Sequence, residues 1–159
     1  MSNLQYYAYD GVGKQVAELM GYMQAVRVPP NRIECSGQGG WIPQNTDWEV
    51  SDDLEVQIAQ AFENIDLTLR TANVKGGWNQ VFSFKSSAFA DAATRRPEYH
   101  VGPINESVFA AMKQNMAKWM PNHKPIWTML GVAALGLPAM KVEIDVVAIE
   151  EEDKEAAAK

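Results

Sequence analysis

The sequence predicts an α+β fold: a mixed β-sheet with two helices packed on one face. Three observations predict it. Short segments of alternating or β-favouring residues recur near 23–28, 32–37, 78–89, 123–138 and 140–149. Two longer segments, 51–73 and 105–120, carry apolar residues at helical spacing. Their order is strand, strand, helix, strand, helix, strand, strand, which suits a sheet covered by helices on one side.

The first strand is expected over Met23–Val28, with Pro29-Pro30-Asn31 turning the chain. The second is expected over Arg32–Gly37, where Ile33 and Cys35 point one way and Arg32, Glu34 and Ser36 the other. Gly37, Gly39 and Gly40 end it and permit close backbone approach. The first helix starts at an expected N-cap, Ser51, with Asp52 and Asp53 at the positive end of its dipole. Leu54, Ile58, Ala61, Phe62, Ile65 and Leu69 make its apolar stripe, which stops near Asn73 before Gly76-Gly77.

The third strand is expected to put Val81, Ser83 and Lys85 on one face and Phe82 and Phe84 on the other. The segment 90–105, "ADAATRRPEYHVGPIN", has no periodicity and is long for a connection in a compact domain. In the second helix Val108, Ala111, Met112, Met116 and Trp119 share a side, and Pro121 ends it. The last strand turns Val142, Ile144 and Val146 to the core and Lys141, Glu143 and Asp145 away. One face of the sheet is therefore polar, with Glu34, Ser36, Ser83, Lys85, Glu143 and Asp145. It is either solvated or buried against another subunit. One domain is expected over 1–149. The tail 150–159, "EEEDKEAAAK", resembles a charged spacer and is set aside.

Charge and composition narrow the function. The 159 residues carry a net charge of −6, and Arg95-Arg96 is the only adjacent basic pair. Binding to a phosphate backbone needs clustered cations, so nucleic acid is not the expected partner. The apolar run Ile126 to Leu137 is broken by Gly131 and Gly136 and is too short to span a bilayer. The N-terminus lacks the basic and apolar regions of a secretory signal. A single cysteine, Cys35, allows no internal disulfide and no thiolate-rich zinc cluster. A cytoplasmic setting is expected.

Individual residues carry bland readings beside sharper ones. Cys35 should face the core as a small hydrophobe. His100 and His123 lie apart, with no cysteine or acid at metal spacing, so neither metal nor cofactor is expected. "GQGG" at 37–40 lacks the lysine and the helix of a phosphate loop. The abundant methionines read as adaptable core filling.

Four stretches together resemble the RidA/YjgF family of imine and enamine deaminases, also called the L-PSP endoribonuclease family. "GYMQAV" at 21–26 resembles the family's first strand, and "CSGQ" at 35–38 its Ser-Gly-Gln strand end. "LEVQIAQAFENIDLTL" at 54–69 resembles its first helix, with Glu55, Gln57 and Asn64 in place. "KPIWTMLGVAALGLPAMKVEIDVVAI" at 124–149 resembles its C-terminal signature.

The resemblance implies a chorismate-mutase-like homotrimer, in which three sheets form a barrel and a small-molecule cleft lies between subunits. It implies cleft roles for Tyr22, Ser36 and Asn105, and for Glu143 as the group that handles hydrolytic water. One departure stands out. Where the family has Pro-Ala-Arg-Ser, this chain has Pro125-Ile126-Trp127-Thr128. An indole offers one N–H and an apolar face, and cannot grip a carboxylate with two parallel bonds as the family's arginine does.

Two readings of Trp127 stay open, cleft wall or core, and Met129 would extend an apolar wall. Glu143 is either the water handler or a polar contact between subunits. Arg95 and Arg96 are either a replacement cation, if 86–104 folds over the cleft, or part of a solvated loop. The expected function is a trimer that binds a small imine, enamine or related metabolite in an intersubunit cleft without the carboxylate-anchoring arginine, with hydrolysis as the chemistry the resemblance implies. The alternatives are a non-catalytic binding or regulatory member, and an endoribonuclease or translation inhibitor, which the acidic charge disfavours.

Overall fold

A computed structural model describes residues 3–89 and 105–150. Seven strands form one sheet: β1 (Gln5–Tyr7), β2 (Ala25–Val28), β3 (Arg32–Cys35), β4 (Gln38–Gly39), β5 (Val81–Phe89), β6 (Ile126–Val132) and β7 (Val142–Ile149). Their order is β1-β2-β3-β7-β5-β6, with β4 also on β7. All pairs are antiparallel except β5 with β6. Three helices, α1 (Val12–Leu19), α2 (Leu54–Thr71) and α3 (Glu106–Trp119), and a 3₁₀ turn at Gly77–Gln80 complete the described residues.

The mixed sheet and the two long helices stand as expected. α2 and α3 share a core with one face of the sheet: Ile58, Phe62, Ile65 and Leu69 from α2, Val108 and Met112 from α3, and Val142, Ile144 and Val146 from β7. Phe62 stacks between Trp78 at 5.3 Å and Phe84 at 5.4 Å. Burying such a ring contributes about 2–3 kcal/mol.

The ends of α2 show how local chemistry sets boundaries. Asp53, not Ser51, is the N-cap, its carboxylate accepting from the N–H groups of Glu55 and Val56. Ser51 instead accepts from the N–H of Asp53 and tightens the turn before the cap. At the other end Asn73 is left-handed at φ 54, and the N–H groups of Asn73 and Val74 bond to the carbonyls of Arg70 and Leu69. That closes the last turn with two of its free carbonyls satisfied.

Three features depart from the sequence reading. β1 and α1 are additional. α1 is only eight residues long and has no side-chain cap, so nothing in the sequence marks its ends, although Val12 and Val16 bury one side of it. The second strand breaks after Cys35 and resumes as β4 at Gln38. In β5 an irregularity between Val81 and Ser83 changes the alternation. Val81 and Phe84 are both buried, whereas Phe82 is turned out and is 40% exposed. Phe82 and Phe84 therefore do not share a face, because the extra residue of a bulge shifts every later side chain by one position.

The outer sheet face carries the expected Glu34, Ser36, Ser83, Lys85, Glu143 and Asp145. Lys85 and Asp145 lie directly opposite across β5 and β7 and pair at 3.6 Å.

Candidate functional site

The polar face gathers the central candidate residues. Tyr22 lies in the segment between α1 and β2, Gly37 between β3 and β4, and Glu143 on β7. All three line one pocket of about 220 Å³. The pocket also takes in Trp41, Trp48 and, from the loop before β7, Leu137 and Met140. Ser36 lines an adjoining hollow of about 420 Å³, which Tyr22 shares. Tyr22 is thus the wall between the two.

Backbone geometry explains why Gly37 stands there. A Cβ on it would lie 2.2 Å from Oε1 of Glu143, so only glycine lets the carboxylate rest against this turn. The Ser36 hydroxyl donates to the carbonyl of Met23 at 2.7 Å, and the Ser36 N–H to that of Gln24 at 2.9 Å. These bonds extend the β2–β3 pairing past its last regular residue and fix Tyr22 beside it.

Burial raises the Glu143 carboxyl above its ordinary value, and the neighbouring Asp145 raises it further. Burial and the charge of Glu143 likewise raise Tyr22, so its hydroxyl is a proton donor at neutral pH. Asp145 is also raised by burial, with Lys85 opposing. Among the described residues no cation lines the pocket. A carboxyl raised in this way holds its proton to a higher pH than an exposed one, the direction that suits a general acid–base group.

Under the pocket runs a buried polar chain. The Trp41 indole donates to the Tyr9 hydroxyl at 3.0 Å. Tyr9 donates to Oε1 of Gln38 at 2.9 Å, and Nε2 of Gln38 donates to Oε1 of Gln24 at 2.8 Å. Burial pushes Tyr9 up to about 12.

Two polar residues of α2 hold the walls. Asn64 donates to the carbonyls of Gly39 and Trp41, both at 2.8 Å. Gln57 donates to the carbonyl of Ala139 at 3.0 Å and accepts from the N–H of Lys141 at 2.9 Å. One helix thereby fixes both loops that frame the pocket. Sequence reading placed Gln24, Gln38, Gln57 and Asn64 inside its motifs but gave them no role. It missed Tyr9, Trp41 and Trp48 altogether. A glutamine or asparagine inside an apolar pattern was the available signal, since a buried amide must find partners.

The remaining candidates lie elsewhere in the chain. Trp127 and Met129 are on β6 opposite Phe84 and Ser86, and pack on the helix-side core. The Trp127 indole donates to Oγ of Ser86 at 3.1 Å and meets the rings of Phe84 at 6.3 Å and Phe109 at 5.9 Å. It lines a separate groove of about 430 Å³ with Met116, Met120 and His123. Within one chain it does not share the pocket of Glu143. Asn105 is the N-cap of α3, its side-chain oxygen accepting from the N–H of Val108 at 3.1 Å. Cys35 is buried, as expected, and burial pushes its thiol up to about 12. Arg95, Arg96 and His100, and most of 86–104, lie outside the described residues, as does the tail from 151. Among the described residues no three potential metal ligands come together, and no helix is long and apolar enough to cross a membrane.

A mixed sheet backed by two long helices, with a small-molecule-sized pocket on its open face, defines the class. The chain belongs to the endoribonuclease L-PSP family, whose profile it matches over residues 13–86 and 101–150. The fold is shared with many YjgF/RidA-type structures. The yeast protein YEO7 is 25% identical, with 94% of this chain and 100% of that one covered and a TM-score of 0.71. RidA from an Antarctic Psychrobacter species is 26% identical, with 94% and 99% covered and a TM-score of 0.64. TdcF from E. coli, solved with bound serine, is 20% identical, with 82% and 88% covered and a TM-score of 0.61. Among curated protein sequences no relative matches.

Proposed function

We propose that this protein is a cytoplasmic homotrimer that binds and hydrolyses a small imine or enamine lacking the anchored carboxylate of related substrates. The observation that carries the reading is the shared pocket of Tyr22 and Glu143, which holds a half-buried carboxyl with a raised pKa and no cation among the described residues. Glu143 takes a proton from water as the new C–O bond forms. The electron pair of the C=N bond moves to nitrogen, which is protonated. Collapse of the aminoalcohol breaks the C–N bond and releases ammonia, leaving the carbonyl compound.

Assembly draws support from the open sheet face and from the edge at β6, unpaired among the described residues, where Ile126 and Leu130 are 69% and 50% exposed. Apolar groups on a sheet edge favour burial against another copy. In that assembly the edge carrying Trp127 comes from the subunit neighbouring Glu143. Membership of the family, and serine in the TdcF structure, support a small-molecule ligand.

A non-catalytic binding role is the second reading. It is favoured by Trp127 itself, whose one polar hydrogen is already engaged by Ser86. The test is loss of imines generated in situ, with and without a carboxylate, by wild type, Glu143→Ala and Trp127→Arg. Hydrolysis of the neutral imines that disappears in Glu143→Ala is expected. Saturable binding with no turnover in wild type or Trp127→Arg would establish the second reading. Light scattering that finds single chains at micromolar concentration would overturn the trimer.

A further inference from the structure

We propose that the apolar end of the Glu143 pocket is a subsite for a flat ring carried by the substrate, a phenyl or similar group, and that Trp48 sets this preference. The proposal rests on the reading of Glu143 as the reacting end.

The walls make the case. Trp41 and Trp48 meet edge-to-face at 5.8 Å and 66°, and Leu137 and Met140 add aliphatic and thioether surface. The reactive groups, Tyr22 and Glu143, line the same cavity, so a ligand reaching both ends has one polar and one apolar part. With no cation among the described lining residues, the group that enters the apolar end is uncharged. Apolar cavities of about 150 Å³ accept benzene. This one, at about 220 Å³, has room for a ring and the carbon that joins it to the reacting centre. Edge and face contacts with indole and thioether groups favour an aromatic occupant over a methyl group.

The conformation of Trp48 points the same way. Its backbone is left-handed, at φ 60, which is costly for a bulky residue. Such a conformation persists only where the surroundings enforce it, and it is concentrated at ligand sites. Here the enforcement is visible. Trp41 and Val50 form a β-bridge across the loop. The Ile42 N–H donates to the Glu49 carbonyl at 3.2 Å, and the Trp48 N–H to that of Asn45 at 3.3 Å. The Asn45 amide also donates to the Glu49 carboxylate at 2.7 Å. The loop thus holds the indole at the pocket rather than letting it relax.

The test pairs binding with turnover. Phenylacetamide and acetamide, which differ by a phenyl ring, are titrated calorimetrically. The imines of phenylacetaldehyde and acetaldehyde, formed in situ, are assayed for hydrolysis. Trp48→Ala opens the subsite. Gly136→Leu fills its mouth, where a Cβ meets nothing within 4 Å, so the fold is retained even if Trp48→Ala does not fold. Phenylacetamide is expected to bind at least roughly ten-fold more tightly than acetamide. Gly136→Leu and Trp48→Ala are each expected to lower that ratio, and the corresponding kcat/KM ratio, roughly five-fold or more. Equal binding of the two amides, or a ratio that Gly136→Leu leaves unchanged, overturns the subsite. Phenyl preference in binding with neither imine hydrolysed upholds the subsite and overturns the hydrolytic reading. Hydrolysis of both imines without phenyl preference does the reverse.

Discussion

Gly37 and Glu143 are in contact through the absence of a side chain: a Cβ on the glycine would sit 2.2 Å from the carboxylate oxygen. The turn between β3 and β4 therefore sets where the β7 carboxylate points. Gly37→Ala meets the end of a movable side chain, and its φ is not in the left-handed region. The variant should fold, with Tm lowered by only a few degrees, while Glu143 swings away. Imine hydrolysis should fall about 100-fold or more in kcat/KM, toward the scale of losing one well-placed acid–base group. Unchanged kinetics with a native circular dichroism spectrum would separate Gly37 from the site.

Glu143 should also leave a mark on stability. Its folded pKa lies above the ordinary 4.5, because of burial and Asp145. Below that ordinary value the carboxyl is protonated in both states and its contribution to stability is fully present. The contribution is lost as pH rises through the raised folded value. Glu143→Gln removes this loss. Thermal melts should show the variant gaining on wild type as pH rises above the ordinary carboxyl value, with the gain levelling off once pH has passed the raised folded value.

Trp127→Arg tests the family departure. The indole's contacts with Phe84 and Phe109 and its bond to Ser86 are lost, at a cost of about 2–4 kcal/mol in urea unfolding. If the β6 edge faces a neighbour's Glu143, the new guanidinium should turn preference toward carboxylate-bearing imines. A competition assay between charged and neutral imines reads this directly.

Tyr9→Phe probes the chain under the pocket. It leaves the Trp41 indole and Oε1 of Gln38 without their Tyr9 partner in a buried setting. Each such orphaned group costs about 1–3 kcal/mol. Denaturant titration should show a loss of about 2–6 kcal/mol for the two together, with the secondary structure unchanged by circular dichroism.

Much of this was legible beforehand. The α2 stripe Ile58, Ala61, Phe62, Ile65 and Leu69 was read correctly, because helical spacing is set by the backbone and survives any packing. The alternation of β7 was equally plain, with Val142, Ile144 and Val146 buried as expected. Phe82 was misread because a bulge has no periodic signature, and its one extra residue puts the alternation on its two sides out of phase. α1 was missed because it spans only eight residues and has no side-chain cap, no acid in its first turn and no base in its last, so its ends carry no signal. The pocket was half visible. Of its lining, Tyr22 and Glu143 were named from motifs, whereas Trp41 and Trp48 sit in a loop whose residues form no pattern.

The sequence by itself determined the family, the mixed sheet with two long helices, and the substitution of Trp127 for an arginine. These are properties of residue type and spacing along the chain. Only the tertiary structure decided that Tyr22, Gly37, Trp48 and Glu143 border one pocket while Trp127 lies on the sheet's other face. That difference depends on strand order and on which way a loop folds. Both are set by contacts between residues far apart in sequence, and local propensity does not encode them.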